Sequence, residues 1–210
     1  MIRSSQFGQT APVPKSFLTL ITELSMPAIE PLLTVADLDA CPDDSNRYEL
    51  IEGELFVSRA PGIPHQRVLL NLIIALTEYL AHHPIGILVP GAGAVFSDYD
   101  AVIPDLVFVR SERWEDVVSN DRFVAAPDLV IEIVSHGKEN RDRDISVKRQ
   151  LYGKYGVAEY WIVDNDNQSV VIFRLQESTL EEVANLKADN DIVSVVLPGL
   201  KLEISTVFKM

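Results

Sequence analysis

The sequence predicts a single α/β domain, in which a mixed β-sheet is flanked by helices. Short apolar runs bounded by turn residues are typical of strands, and two longer stretches carry helical periodicity. These elements alternate too irregularly for a doubly wound parallel sheet, which favours a mixed sheet of the α+β kind. A chain of 210 residues with 47 % hydrophobic residues has room for one full core and little room for two.

The N-terminal part divides into an arm and the start of the domain. Residues 1–30 are rich in Ser, Pro and Thr without any sustained period, which predicts a flexible arm ahead of a domain spanning 31–210. Thr34 is followed three residues later by Asp37, the spacing of a capping box, so a short helix is expected near 35–40.

Strand-like runs occupy much of the remaining chain. The first two flank Gly53 and predict an N-terminal β-hairpin. The predicted strands are Tyr48–Ile51, Glu54–Ser58, Ile87–Val89, Ala94–Ser97, Val102–Val109, Asp128–Ser135, Ala158–Asp164 and Ser169–Leu175. The tail around Pro198 is expected to add further strands or an edge meander.

Two helices are predicted within the domain. The longer spans His65–His83, where apolar residues recur at positions 69, 72, 73, 76 and 80 and Pro84 ends the pattern. The other runs from about Arg141 to Tyr155 and is closed by Gly156.

Composition excludes several classes of protein. Cys41 is the only cysteine, so neither an internal disulfide nor a cysteine-based zinc site is possible. No stretch has the pattern of a secretory signal or a membrane span, which predicts a cytoplasmic protein without membrane attachment. The net charge of −13 opposes nucleic-acid binding, yet residues 136–156 contain six basic and three acidic side chains. This local excess is either a basic surface or a solvated helix face.

Two acidic residues interrupt apolar runs. Asp105 lies among branched and aromatic residues, and Glu132 lies within Leu129–Val134. Such runs are typical of strands buried on both faces, where an ionised carboxylate is costly unless a cation or hydrogen bonds compensate it. The pattern predicts either a shared metal site on neighbouring strands or two separate ion pairs.

A lysine follows on the next helix. Asp144, Lys148 and Tyr152 are spaced by four residues and share one helix side. Lys148 could reach the two carboxylates and offset charge in a phosphoryl transition state. The competing interpretation is a surface lysine paired with Asp144.

An ordered set of motifs carries a family resemblance. The motifs are Tyr48-Glu-Leu-Ile-Glu-Gly-Glu-Leu55, His65 opening a helix, Pro104-Asp105, Pro127-Asp-Leu-Val-Ile-Glu-Ile-Val-Ser135, Lys148 with Tyr152 and Tyr155, and Gly156-Val-Ala-Glu-Tyr-Trp-Ile-Val-Asp164. From about Thr34 to the C-terminus the sequence resembles the Uma-type family of restriction endonuclease-like proteins, within the PD-(D/E)XK nuclease superfamily.

The resemblance implies a restriction endonuclease-like fold and a set of site residues. Asp105 and Glu132 are expected to bind a divalent cation, Mg²⁺ with Mn²⁺ as a substitute, and Lys148 to be the catalytic lysine. In the superfamily pattern the lysine stands two residues after the second acid, where this chain has Val134. The family is thought to take its lysine from the next helix, which Lys148 matches. A further departure is His136, where relatives commonly have proline.

Five residues are candidates for accessory roles. The backbone carbonyl of Ile133 is the expected third metal ligand, since Mg²⁺ prefers oxygen donors. His65 could point into the pocket or make only a local hydrogen bond. Glu49 and Glu52 are alternatives for an extra acidic ligand, with Glu49 favoured by the resemblance. Tyr152 is a possible accessory to the site.

The sequence thus favours a metal-dependent endonuclease that hydrolyses phosphodiester bonds in nucleic acid, most reasonably DNA. A homodimer is the expected assembly, because nucleases that cut both strands often act in pairs. The alternative is a non-catalytic binding or regulatory module that keeps the nuclease fold, and a third is a purely structural acid pair.

Overall fold

The computed structural model of this protein describes residues 31–134 and 143–209, and side chains only outside 143–145. The predicted arm at residues 1–30 lies outside the described residues, as does His136. The side chain of Asp144 is also outside them, so its predicted position beside Lys148 stays a prediction.

The elements of the described residues alternate irregularly along the chain. The helices are α1 (Val35–Leu38), α2 (Ile63–His82), α3 (Trp114–Val117), α4 (Arg149–Tyr155) and α5 (Ile204–Val207). The strands are β1 (Asn46–Ile51), β2 (Glu54–Arg59), β3 (Gly86–Pro90), β4 (Ala94–Ser97), β5 (Asp100–Val102), β6 (Leu106–Arg110), β7 (Val118–Ser119), β8 (Arg122–Phe123), β9 (Leu129–Val134), β10 (Glu159–Asp164), β11 (Ser169–Gln176), β12 (Thr179–Leu186), β13 (Asp191–Ile192) and β14 (Leu202–Glu203). A 3₁₀ turn at Ser111–Arg113 precedes α3, and a π-helical turn at Arg143–Lys148 precedes α4.

The strands form a main sheet, a second sheet and a small ribbon. The main sheet has the order β12-β11-β10-β9-β6-β3, the second β2-β1-β5-β4-β8-β7, and the ribbon pairs β13 with β14. In the main sheet β9 and β10 are parallel and the other pairs antiparallel. The predicted mixed sheet is therefore confirmed. A parallel pair requires a crossover connection, and here α4 lies in it.

Apolar clusters cover both faces of the main sheet. On one face α2 buries Val68, Leu72 and Leu76 against alternate residues of β6, β9 and β10. On the other face Leu151 and Tyr152 of α4 pack with residues of the second sheet. Because the strands are buried on both faces, they are continuous apolar runs in the sequence.

The predicted N-terminal hairpin is present. Strands β1 and β2 pair from Asn46↔Arg59 to Ile51↔Glu54. The two turn residues, Glu52 and Gly53, have φ of 52° and 78°. Two-residue hairpin turns of this kind need positive φ at both positions, which explains the glycine.

One predicted strand is wrong. The run Val102–Val109 is divided between β5 and β6, with residues 103–105 outside both strands. Pro104 has no backbone N–H to donate to a neighbouring strand, so the ladder breaks there. Asp105 consequently lies just before β6 rather than at the centre of a strand.

The predicted start of the second helix, near Arg141, lies outside the described residues. Its described part begins with the π-helical turn and continues as α4. Gly156 ends α4 with a φ of 90°, which confirms the predicted glycine cap. Among the residues described, the structure has no helix with the length and apolarity needed to cross a membrane.

Candidate active site

Asp105 is held by three donors at the edge of the main sheet. Its Oδ1 accepts a hydrogen bond from Arg47 Nη1 at 3.0 Å. Its Oδ2 lies 3.0 Å from His65 Nε2 and accepts from the backbone N–H of Ile133 at 2.9 Å. Asp105 and His65 are only 3 % and 5 % exposed. The carboxylate is therefore fixed in orientation by groups from β1, α2 and β9.

Glu132 lies in the middle of β9 and is held by α4 and the turn before it. Its Oε1 accepts hydrogen bonds from Lys148 Nζ at 2.9 Å and from Tyr152 Oη at 2.7 Å. Lys148 and Tyr152 are four residues apart, so both reach Glu132 from one helix side. Lys148 is 3 % exposed, which contradicts the interpretation as a surface lysine.

Lys148 also joins Glu132 to the first hairpin. Its Nζ lies 2.9 Å from Glu49 Oε1, and the same Oε1 accepts from the backbone N–H of Ile103 at 2.9 Å. One ammonium group thus contacts two buried carboxylates. Ion pairs removed from water in this way are costly to assemble, and breaking them is more costly still.

The register of the main sheet brings the two acids together. Leu106 pairs with Ile131 and Val107 with Val130 in the antiparallel pair β6–β9. Extending this register by one residue sets Asp105 opposite Glu132, and the hydrogen bond from Ile133 to Asp105 agrees with that placement. Neighbouring strands lie about 5 Å apart, so the backbones of the two acids are adjacent, while their side chains have different hydrogen-bond partners.

The pKa values follow from these contacts. Burial alone would raise the pKa of Asp105, but the hydrogen bond and charge of His65, together with the Ile133 N–H and Arg47, lower that pKa to about 2. Burial, reinforced by Glu132, raises the pKa of Tyr152 well above its usual value. Asp105 is thus a carboxylate and Tyr152 a hydrogen-bond donor at neutral pH.

The side chains around Asp105 and Glu132 offer several oxygen atoms that a metal ion could use as ligands. Asp105, Glu132 and Glu49 offer carboxylate oxygens, the hard donors that Mg²⁺ and Mn²⁺ prefer. In an extended strand the N–H and C=O of one residue point to the same side, so the carbonyl of Ile133 faces Asp105 as its N–H does. Over the described ranges no three His, Cys, Asp or Glu side chains are arranged to hold an ion by themselves. The donor types at the site are therefore those that a hard divalent cation prefers.

The residues that the sequence marked for this site fall into two contact groups: His65 and the Ile133 N–H lie on Asp105, and Lys148, Tyr152 and Glu49 lie around Glu132. Glu52 belongs to neither group. Glu52 is an exposed turn residue with positive φ. The roles assigned to the others stay predictions. Tyr160 and Trp161 are fully buried and belong to the core.

Arg47 is a site residue that the sequence analysis missed. It contacts Asp105, which is 58 positions away in the chain. The sequence does contain a local indication of Arg47. Arg47 and Glu49 are two residues apart on β1, so their side chains lie on the same face of the strand.

The fold and the sequence were then compared with those of known proteins. The sequence model of a family described as "Uma2: Putative restriction endonuclease" matches residues 35–205. A crystal structure described as "a putative nuclease belonging to DUF820 from Anabaena variabilis ATCC 29413" superposes with a TM-score of 0.68 at 21 % identity, covering 84 % of this chain and 97 % of the other.

A second structural match is weaker. The type IIG restriction endonuclease BpuSI gives a TM-score of 0.41 at 13 % identity, covering 69 % of this chain and 15 % of BpuSI. No curated protein matches the sequence. The Anabaena structure confirms the predicted restriction endonuclease-like fold.

Proposed function

The chain belongs to the Uma2 family, and from this premise we propose that it is a divalent-metal-dependent nuclease that hydrolyses phosphodiester bonds, with DNA as substrate. The observation that carries the proposal is the buried contact of one lysine with Glu132 and Glu49, on the strand next to the buried carboxylate of Asp105. Replacing a buried pair of charged side chains by apolar residues is often neutral or stabilising, so a contribution to stability does not explain why these charged side chains are present. Buried, mutually perturbed ionisable groups are typical of functional sites.

In this proposal Asp105, Glu132 and the Ile133 carbonyl would hold the ion. When bound, a divalent cation supplies Lewis-acid polarisation of the scissile phosphate and a more acidic water. Arg47 and His65 orient Asp105, since they occupy its oxygens from the side of β1 and α2.

In this proposal Lys148 stabilises the negative charge of the transition state. Its ammonium lies beside Glu132 and can donate to a phosphoryl oxygen, where it offsets developing negative charge. Tyr152 donates to the same oxygen of Glu132 and keeps that carboxylate oriented when Lys148 turns toward substrate. Glu49 provides the second contact that holds Lys148 near the site in the absence of substrate.

One observation favours a second candidate, a non-catalytic module. The carboxylates already have cationic or hydrogen-bonding partners within the protein, and the net charge of −13 repels a polyanion. A module of this kind would not respond to divalent cations. If the protein is a metal-dependent nuclease, Mg²⁺ binds its folded state, and the melting temperature should rise with the Mg²⁺ concentration. The melting temperature of a non-catalytic module should not change, so this measurement separates the two candidates.

The direct test is cleavage of supercoiled plasmid DNA by the purified protein. We expect nicking with Mg²⁺ or Mn²⁺ and none with EDTA, and loss of nicking in Asp105→Ala and Glu132→Gln. Glu159→Gln is the matched control, because Glu159 is a buried carboxylate paired with Arg174 at the opposite end of β10 from the site. Nicking that persists in both site variants, or that disappears equally in the control, would contradict the proposal.

A further inference from the structure

Asp100, a buried acid at the start of β5, contacts none of the groups that hold Asp105 or Glu132. We propose that it is a positioning residue: by anchoring the C-terminal end of α4 it sets where Lys148 lies. This inference rests on the proposed function, because it concerns how the lysine of that site is placed.

Asp100 is 1 % exposed and accepts four hydrogen bonds. Oδ1 accepts from the backbone N–H of Glu52 at 2.8 Å. Oδ2 accepts from Ser97 Oγ at 3.1 Å, Lys154 Nζ at 3.0 Å and Tyr155 Oη at 2.6 Å. One carboxylate thus joins the β1–β2 turn, the β4–β5 turn and the last two residues of α4.

Helix α4 needs such an anchor because it is short. It has seven residues, far fewer than an isolated helix needs for stability in water, so tertiary contacts must fix its position. Gly153 supplies one of them, since a Cβ there would lie 3.0 Å from the backbone oxygen of Ser178. That close approach sets the depth of the helix. Its rotation depends on the buried packing of Leu151 and Tyr152 and on the contacts at its two ends.

The helical segment from Lys148 to the end of α4 is held at each end by one of two neighbouring strands, β1 and β5. Lys148, at the N-cap of α4, contacts Glu49 of β1, and Lys154 near the other end contacts Asp100 of β5. Strands β1 and β5 pair directly at Leu50↔Ala101. The second sheet therefore holds the helix at two points about six residues, or roughly 9 Å, apart.

Only one of these two points can persist during the proposed reaction. When Lys148 turns toward a phosphate it gives up part of its contact with Glu49 and Glu132. The Asp100 contacts with Lys154 and Tyr155 involve no reacting group and stay in place. Together with the buried packing of Leu151 and Tyr152, Asp100 consequently keeps the C-terminal end of α4 in place while its lysine is engaged.

The variant Asp100→Asn tests this assignment. The amide keeps the shape of the side chain but replaces the Oδ2 charge, so Lys154 loses its ion pair. Asp98→Asn is the matched control, because Asp98 lies in the same turn and is exposed. In plasmid nicking well below the melting temperature, we expect Asp100→Asn to lower kcat about 10- to 100-fold with little change in KM. A merely structural role would lower the melting temperature and leave kcat of the folded fraction unchanged.

Amide hydrogen exchange gives a second measurement that does not need cleavage. In Asp100→Asn the amides of α4 should exchange faster, while those of β9 and all amides of Asp98→Asn exchange as in the wild type. If the wild type cleaves nothing, the proposed function fails, and exchange alone still decides whether Asp100 anchors α4. Unchanged exchange in α4, or faster exchange with kcat unaltered in an active enzyme, would overturn the inference.

Discussion

Replacing Lys148 by methionine removes the ammonium while keeping a side chain of similar length. The ammonium lies 2.9 Å from one oxygen of Glu49 and 2.9 Å from one of Glu132, and all three residues are at most 3 % exposed. Removing one partner of a buried ion pair typically costs 3–5 kcal/mol, so we expect Lys148→Met to lose about that much stability in EDTA. For a domain of this size the melting temperature should fall by on the order of 10 °C.

Divalent cations should reverse much of this loss. The methionine variant keeps the carboxylates of the site but no longer places a competing cation between them, so Mg²⁺ or Mn²⁺ should bind the variant more tightly than the wild type. Ligand at 100 times its Kd stabilises a folded protein by about 2.7 kcal/mol, which is large enough to measure. Plasmid nicking should nevertheless be lost, because the variant has no ammonium to offset phosphoryl charge.

The assay is thermal unfolding followed by circular dichroism, in EDTA and across a Mn²⁺ titration. Lys201→Met is the control, since Lys201 is exposed. A Lys148→Met variant as stable as the control in EDTA would contradict the cost expected for the unpaired carboxylates. Equal shifts of the melting temperature by the cation in variant and wild type would contradict the expected competition between lysine and metal.

Three further predictions concern single side chains. The pKa of Asp105 is about 2 in the folded protein, against an ordinary value of 3.8. Its carboxylate therefore contributes about 2 kcal/mol to the free energy of unfolding above about pH 4, and this contribution is lost as the pH falls toward 2. Urea unfolding across this pH range should show the loss in the wild type and not in Asp105→Asn. Tyr152→Phe removes the 2.7 Å hydrogen bond to Glu132 and should cost about 1–3 kcal/mol in urea unfolding, with slower nicking; an unchanged midpoint would count against it. Gly156→Ala places a Cβ at a φ of 90° and should cost about 1–2 kcal/mol, whereas Gly62→Ala, at a φ of −76°, should cost less.

The parts of the fold that depend on local pattern were predictable from the sequence. The first hairpin follows from Gly53 and the alternation around it, and the end of α4 follows from Gly156. Strands of two residues, such as β7 and β8, are too short to have a period, so nothing in the sequence indicated them. The π-helical turn before α4 likewise has no local signature.

The candidate site was predictable only where charge conflicts with an apolar environment. Glu132 and Asp105 stood out because each lies in an apolar run, although Pro104 moves Asp105 out of the strand that the run suggested. Arg47 and Asp100 did not stand out, because each is an ordinary charged residue until folding brings distant partners to it. Their contacts span 58 positions and as many as 55 positions along the chain.

The parallel pairing of β9 with β10 has a consequence for how the site is inherited. A single β-α-β unit carries Glu132, Lys148 and Tyr152, so these three groups are connected by one continuous stretch of chain. A lysine on the crossover helix can change its reach through insertions between the strand and the helix, whereas a lysine on the strand keeps the position that the strand gives it. This architecture lets the distance between the acid and its cationic partner evolve without altering the register of the sheet.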